Sequence, residues 1–250
     1  MDKKDKKIVN KPDKFLDTTP LTLREIDEEN RKRESLINSE IEQGFNLIKK
    51  TDKKSVTFFG SARFPEDHPY YQKARRIAHT LAKRGYAVVT GGGPGIMEAA
   101  NRGAFEANGR SVGFTIELPR EQNRNPYITD SSDFYYFFTR KVMLTFSAEA
   151  YLMFPGGFGT FDETFEILTL VQTKKIDPVP IIFVGSEFWE PLRGLLNGEL
   201  LKKFSTIDEQ DLTLFTISDD EEEITRIVEQ APVRVGVRLP NDWPTSKENS

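Results

Sequence analysis

The chain has no cysteine among its 250 residues and only two histidines. The missing cysteine excludes disulfide bonds, a thiolate nucleophile and a cysteine-based zinc site. His68 and His79 are then the only imidazole groups, and His79 lies in a helical pattern that favours packing or surface exposure over ligation. The sequence therefore predicts no metal centre, and none of its motifs requires a bound cofactor.

Long apolar runs are also missing. No stretch approaches the roughly 18 apolar residues that a membrane-spanning helix needs. The N-terminus is rich in lysine, but no apolar segment follows it, so it does not match a secretory signal. These absences predict a soluble cytoplasmic protein with no membrane partner.

The chain has no excess of positive charge. Its 35 lysines and arginines are balanced by 39 acidic residues, which gives a net charge of -4. This balance argues against a general nucleic-acid partner, because such proteins need cations to neutralise phosphates. With 37% hydrophobic and 30% charged residues, the chain is predicted to be one globular domain with polar extensions.

Four segments are predicted: 1–20, a disordered tail; 21–50, an N-terminal helix; 51–231, an α/β domain; and 232–250, an irregular tail. Thr22 and Glu25 have the spacing of a capping box, which predicts where the helix begins. Its apolar face would pack on the main domain or on a partner subunit. The residues of that face are Ile37, Ile41, Phe45 and Ile48.

Strand and helix patterns alternate from Ser55 onward, with short connections. The predicted strands are Val56–Phe59, Tyr86–Thr90, Ser111–Ile116, Ala150–Phe154, Val179–Val184 and Leu214–Ile217. This alternation predicts an α/β, Rossmann-like, doubly wound and mostly parallel sheet with an N-terminal helical extension. Such sheets bind ligands beyond the carboxyl ends of their strands, where Gly60, Gly91–Gly95 and Gly156–Gly159 are predicted to lie.

The first glycine-rich motif runs from Gly91 to Glu98, between a strand and a helix. Gly92, Gly93 and Gly95 could expose backbone N–H groups to a phosphate, or could form a tight connection with no ligand. The spacing does not fit a dinucleotide fingerprint. Glu117, at the end of the next strand, keeps a nicotinamide-dependent oxidoreductase open as an alternative.

The second glycine-rich motif, Pro155–Glu163, follows a buried strand pattern and begins a helix. Its glycines and the helix N-terminus are suited to binding a phosphate. Glu163 is the chemically informative residue, because a carboxylate near a bound nucleotide could act on it. The competing interpretation is structural, since Thr160 and Glu163 also have capping-box spacing.

Arg140 and Lys141 stand near the start of a predicted helix, Phe138–Ser147, where cations do not favour the helix dipole. They could be a surface pair. Alternatively, Arg140 could point into the site and bind an anionic substrate, for which a guanidinium is well shaped.

Taken together, Gly91–Met97, Arg140–Lys141 and Pro155–Glu163 resemble the Lonely Guy family of cytokinin riboside 5′-monophosphate phosphoribohydrolases. The resemblance covers roughly residues 55–230, and Gly60 with Ser61 also fits it. The N-terminal helix and the long segment 118–139 are similar to a longer bacterial branch, and Glu98 replaces the small residue of plant-type members.

The resemblance implies that 51–231 is a Rossmann-like nucleotide-binding catalytic domain. It would hydrolyse a nucleoside 5′-monophosphate, such as AMP or a cytokinin riboside monophosphate, to free base and ribose 5-phosphate. It further implies a homodimer or a larger homo-oligomer. Lysine decarboxylation, a name often given to this family, is not expected, because nothing in the sequence indicates a pyridoxal-phosphate lysine with its partners.

In this interpretation Arg140 and Glu163 are catalytic: Glu163 stabilises a positive sugar carbon or activates water, and Arg140 anchors or polarises the substrate. Two helix N-termini would help to hold the phosphate. Glu98 could bind a ribose hydroxyl or be only a helix N-terminal charge. The predicted substrate-binding residues are Gly60, Ser61, Gly92, Gly93, Gly95, Met97, Glu98, Lys141, Gly156, Gly157, Gly159 and Thr160.

The segment 118–139 is predicted to be a loop over the site that determines base specificity by stacking. Its aromatic residues are Tyr127, Phe134, Tyr135 and Tyr136. A non-catalytic nucleotide-binding protein, or a carrier similar to molybdenum-cofactor carriers, is the remaining alternative. The Arg140–Glu163 pair argues against it, because a carrier needs no carboxylate at the sugar.

Overall fold

A computed structural model of the chain describes residues 20–51, 54–117 and 124–232. The predicted tails lie outside these ranges except for Pro20 and Pro232 and therefore stay predictions. Within the described residues, no helix is both long enough and apolar enough to span a membrane.

The structure confirms the α/β, Rossmann-like class. Its sheet has seven strands, every neighbouring pair is parallel, and the order is β4-β3-β2-β1-β5-β6-β7. The strands are β1 Ser55–Phe59, β2 Ala87–Thr90, β3 Ser111–Ile116, β4 Asp130–Phe134, β5 Ala150–Met153, β6 Ile181–Phe183 and β7 Thr216–Ile217. The helices are α1 Leu23–Thr51, α2 Pro69–Lys83, α3 Ile96–Glu106, α4 Phe137–Phe146, α5 Phe158–Gln172, α6 Ser186–Leu195 and α7 Glu221–Glu229.

Burial on both faces of the sheet explains the apolar strands. In β5, Tyr151 and Met153 belong to one hydrophobic core, whereas Ala150 and Leu152 belong to the other. All four side chains are completely buried. Alternate residues of a strand point to opposite faces, so helices must cover the sheet on both sides.

Strand β4 corrects the prediction that 118–139 is a loop. Asp130–Phe134 pairs with β3 along its whole length. The strand escaped detection because it is polar, with the sequence Asp-Ser-Ser-Asp-Phe, and lacks the β-branched residues typical of strands. An edge strand tolerates such residues, since backbone pairing to one neighbour and the burial of Phe134 hold it in place.

Helix α1 begins at the predicted position. The Thr22 N–H donates to the Glu25 carboxylate at 2.8 Å, and the Glu25 N–H donates to Thr22 Oγ1 at 3.3 Å, which is the reciprocal pattern of a capping box. The chain separates into two compact units, one ending at Asn38 and one starting at Ser39. In the second unit, Ile41 and Ile48 pack against the hydrophobic core that includes Leu47.

Candidate active site

Three loops meet at one edge of the sheet. They follow β1, β2 and β5, which are neighbours and parallel, so their carboxyl ends point the same way. Strands β2, β3 and β4 lie on one side of β1, and β5, β6 and β7 lie on the other. The strand order therefore reverses direction at β1, and parallel sheets bind ligands in the crevice at such a point. A cavity of about 820 Å³ lies here. Of the predicted site residues, those that line it are Gly60, Ser61, Met97, Arg140, Gly156, Gly157, Gly159, Thr160 and Glu163.

The other three predicted glycines do not line the cavity. The Gly92 N–H donates to Thr90 Oγ1 at 2.9 Å, and the carbonyls of Gly92 and Gly93 both accept hydrogen bonds from Asn125. Gly95 precedes α3 with φ at +69°, and a Cβ there would overlap the Ser61 carbonyl. These glycines are explained by a tight strand–helix connection, which favours the structural interpretation of this turn.

Glu98 and Lys141 also lie away from the cavity wall. Tyr71 donates its hydroxyl to the Glu98 carboxylate at 3.0 Å. Lys141 forms ion pairs with Asp162 at 2.8 Å and with Glu166 at 2.9 Å. Burial opposes the charge on Lys141, but hydrogen bonds to these two carboxylates raise the pKa of the ammonium group. Both residues therefore have protein partners that account for them without a ligand.

Glu163 is not part of a capping box, which corrects the structural interpretation of its motif. Helix α5 has Gly157 as its N-cap and no side-chain cap, so Thr160 lies inside the first turn and Glu163 lies in the second. The side chain is 8% exposed and lines the cavity. Its Oε2 is buried and has no hydrogen-bond partner among the described residues. A buried carboxylate oxygen without a partner is costly, which is typical of functional sites.

Burial raises the pKa of Glu163 to about 7. Lys141 and Arg140 oppose this shift through their positive charges, whereas Glu166 and Asp162 add to it. A carboxyl group with a pKa near neutrality can exchange a proton under physiological conditions, as a general acid or base must.

This shift predicts a dependence of stability on pH. The folded-state pKa of about 7 lies above the ordinary value of 4.5, so the unfolded chain binds fewer protons between these values and stability falls as pH rises. Glu163→Gln removes the charge. It should therefore raise the free energy of unfolding by about 1–3 kcal/mol more at pH 8 than at pH 5. Urea unfolding at both pH values measures this, with the exposed Glu190→Gln as control. An equal effect of Glu163→Gln at both pH values would contradict the shift.

Arg140 is held at the cavity by backbone carbonyls. Its Nε donates to the Phe114 carbonyl of β3 at 2.7 Å, and Nη2 lies 3.5 Å from the carbonyl of Gly91, after β2. Burial lowers the pKa of Arg140 and the charge of Glu163 raises it, but a guanidinium stays protonated in proteins. Two of its five N–H groups at most are used by these carbonyls, so the others can bind an anion.

Sequence reasoning missed Gly91 as a site residue. A Cβ at this position would overlap Arg140 Nη2, so the glycine makes room for the guanidinium. The available signal was its place in the chain, directly after the last residue of β2. Arg63, in the loop after β1, was also missed and lines the cavity as a second cation.

The aromatic side chains at the cavity differ from those predicted. Phe134 is completely buried in the core, and Tyr127 packs against Phe105 and Arg102. Tyr135 and Tyr136 pack edge to face against each other. None of the four lines the cavity within the described residues. The aromatic residues that do are Phe59, Phe64, Phe137, Phe158, Phe161 and Phe188.

Within the described residues, no group of three or more His, Asp or Glu side chains is arranged to hold a metal ion. The acidic residues at the cavity are Asp162, which pairs with Lys141, and Glu163. The cations that line the cavity within the described residues are Arg63 and Arg140, and Ser61 and Thr160 add hydroxyl groups.

The chain is 25% identical over 158 residues to a cytokinin riboside 5′-monophosphate phosphoribohydrolase of Rhodococcoides fascians, covering 61% of this chain and 79% of the relative. It is 25% identical over 189 residues to a pyrimidine/purine nucleotide 5′-monophosphate nucleosidase of Escherichia coli K12, covering 72% of this chain but only 39% of the relative.

A solved structure with the same fold is the molybdenum cofactor carrier protein of Chlamydomonas reinhardtii, with a TM-score of 0.50 and 21% identity. The match covers 72% of this chain and 98% of the carrier, and at this identity it shows the fold alone. The family model described as "Possible lysine decarboxylase" matches residues 97–228, more than half of the chain. The chain therefore belongs to this family, which is the Lonely Guy family that its motifs resemble.

Proposed function

We propose that the protein hydrolyses the N-glycosidic bond of a nucleoside 5′-monophosphate, giving free base and ribose 5-phosphate. The observation that supports this best is Glu163, whose buried Oε2 has no hydrogen-bond partner among the described residues and which lines a cavity whose glycine-rich loop suits a phosphate. Relatives named as a phosphoribohydrolase and a nucleotide nucleosidase support the same reaction class.

The chemistry needs a negative charge close to the sugar. As the bond between C1′ and the base nitrogen breaks, C1′ becomes positively charged, and water adds to it. The Glu163 carboxylate stabilises this charge and accepts a proton from the attacking water. The departing base receives a proton at its nitrogen. The hydroxyl of the water thus ends on C1′ of ribose 5-phosphate, and a proton ends on the base.

The 5′-phosphate would bind at the N-terminus of α5. Gly157, Phe158 and Gly159 begin this helix and line the cavity, and N–H groups at a helix N-terminus favour anions. Ser61 and Arg63 also line the cavity. Binding at the phosphate positions the sugar, so a remote contact contributes to catalysis at C1′.

The direct test is base release from a panel of nucleoside 5′-monophosphates that includes AMP and a cytokinin riboside monophosphate. Base and ribose 5-phosphate should appear in equal amounts, and the matching nucleosides without phosphate should react at least about 100-fold more slowly. Absence of base release across the panel would contradict the proposal. Tight binding of a phosphorylated ligand without turnover would then favour a binding protein or carrier.

The glycine-rich loop allows a matched test of the phosphate position. A Cβ at Gly159 would meet open space, whereas a Cβ at Gly156 would overlap Thr160. Gly159→Ala should therefore leave the Tm nearly unchanged and weaken ribose 5-phosphate binding by about tenfold, because its methyl group blocks close approach of the anion. Gly156→Ala should lower stability by about 1–3 kcal/mol through overpacking. Calorimetric titration and thermal unfolding separate the two effects.

Unchanged ribose 5-phosphate affinity in Gly159→Ala would place the phosphate elsewhere in the cavity. Homo-oligomer formation and a cytoplasmic location stay predictions, as does the identity of the base.

A further inference from the structure

Glu40 is a buried acidic residue that the proposed reaction does not use. It lies on α1 and is 3% exposed. Its Oε1 accepts a hydrogen bond from the Tyr135 N–H at 2.6 Å, and its Oε2 accepts one from Thr139 Oγ1 at 2.5 Å. Tyr135 precedes α4 and Thr139 lies in its first turn, 95 and 99 positions from Glu40 along the chain.

Helix α4 lacks a cap of its own. Its N-cap residue is Tyr136, which makes no side-chain capping hydrogen bond. N–H groups and partial positive charge at a helix N-terminus favour a nearby carboxylate, usually from a residue within the first turn. Glu40 places a carboxylate at this end from another helix, and it accepts from the N–H of Tyr135, one residue before the N-cap, and from the Thr139 hydroxyl. Thr139 Oγ1 also lies 2.9 Å from the Tyr136 carbonyl, which links the carboxylate to the first turn.

The next turn of α1 contacts the next turn of α4. A Cβ at Gly44 would overlap the side chain of Met143, which is completely buried. Glu40 and Gly44 are four residues apart, as are Thr139 and Met143, so two successive turns of each helix are in register. Glu40 and Gly44 of α1 therefore contact α4 at its first and second turns.

Arg140 directly follows Thr139 on this helix. Its backbone N–H lies 3.4 Å from the Tyr136 carbonyl, a long hydrogen bond at the first turn. Its guanidinium must nevertheless meet the carbonyls of Phe114 and Gly91 at the cavity. A displacement of about 1 Å at a reacting group can cost roughly 100-fold in rate, so the placement of this turn matters.

We infer that Glu40 is a positioning residue for Arg140, and that α1 thereby contributes to the active site without touching the substrate. The inference rests on the proposed function. Burial of a carboxylate is costly, and an apolar residue would suffice to pack two helices together. The two hydrogen bonds to the start of α4 instead fix the turn from which Arg140 extends.

A double-mutant cycle with Glu40→Ala and Arg140→Ala tests this. Glu40→Ala should lower kcat/KM for base release roughly 10- to 100-fold, but should change it less than about threefold in the Arg140→Ala background. Leu47→Ala, in the core on the same helix, is the structural control, and its effect should be the same in both backgrounds. The inference would be overturned if Glu40→Ala left kcat/KM unchanged. It would also be overturned if the fold-loss of kcat/KM in the double variant equalled the product of the two single fold-losses.

The same cycle is measured by calorimetry with ribose 5-phosphate, so failure of the proposed reaction does not affect it. If the wild-type protein releases no base, the affinity for ribose 5-phosphate decides. A loss of affinity in Glu40→Ala that is absent in the Arg140→Ala background supports positioning. Equal losses of affinity in both backgrounds overturn it. If Glu40→Ala does not fold, Glu40→Gln replaces it. Its amide keeps one acceptor, so a smaller loss with the same dependence on Arg140 is expected.

Discussion

Glu163→Gln should lower kcat for base release by roughly 10²–10⁴-fold, with a change in KM below about threefold. Glutamine has nearly the same shape but no negative charge, so it neither stabilises a positive C1′ nor accepts a proton from water. The glycine-rich loop that we propose binds the phosphate is unchanged, which is why substrate binding should persist. Steady-state assays with AMP, or with the best substrate of the panel, measure both constants.

The pH dependence of the wild-type protein gives an independent check on the same residue. Glu163 must be ionised to act, and its pKa is raised to about 7, so kcat/KM should rise with pH and level off above about 8. The rise of kcat/KM with pH should disappear in Glu163→Gln. Glu190→Gln, an exposed carboxylate on α6, should behave like wild type. Full activity in Glu163→Gln, or an unchanged rise of kcat/KM with pH in that variant, would show that another residue is the catalytic carboxylate.

Arg140→Ala should lower kcat/KM by roughly 10²–10³-fold, comparable to the loss of one strong donor to a developing charge. Its remaining N–H groups can bind an anionic substrate, and the only other cation among the described residues that line the cavity is Arg63. Arg140→Lys should recover little activity, because an ammonium group cannot contact two carbonyls and a ligand in the same plane.

The division of the Arg140 effect between the two kinetic constants shows its role. An increase confined to KM indicates that Arg140 anchors the substrate, whereas a fall in kcat indicates that it acts on the transition state. Arg24→Ala is a suitable control, since Arg24 is exposed and pairs only with Glu28 among the described residues. Arg140→Ala with wild-type kcat/KM would show that Arg140 takes no part in the reaction.

Local sequence patterns were enough to predict which strand ends meet at the cavity. Apolar runs followed by glycine predicted strand ends, and parallel strands bring those ends to one edge of the sheet. Gly60 and Gly156, almost 100 positions apart, consequently line one cavity with Arg140 and Glu163. Hydrophobic periodicity and glycine positions depend only on neighbouring residues, so they can be read from a single sequence.

Side-chain partners could not be predicted in the same way. Lys141 follows Arg140 directly, yet it pairs with carboxylates of α5 while Arg140 lines the cavity. Which of two adjacent cations points inward depends on how α4 is rotated against the sheet, and the pairing with α5 is known only after folding. The capping box at Thr160 failed for a related reason, because α5 begins three residues earlier than its spacing suggested.

The position of β1 has a consequence for how the protein can be divided. The family model matches residues 97–228, but β1 and β2 precede this segment and lie in the middle of the sheet, joining β3 to β5. A fragment cut at the match would consist of two separate strand ribbons, β3–β4 and β5–β6–β7, with their inner edges unpaired. It would also lack Gly60, Ser61 and Gly91. The segment that the family model matches, residues 97–228, is therefore not expected to fold by itself. Truncated or grafted forms of the protein should keep β1.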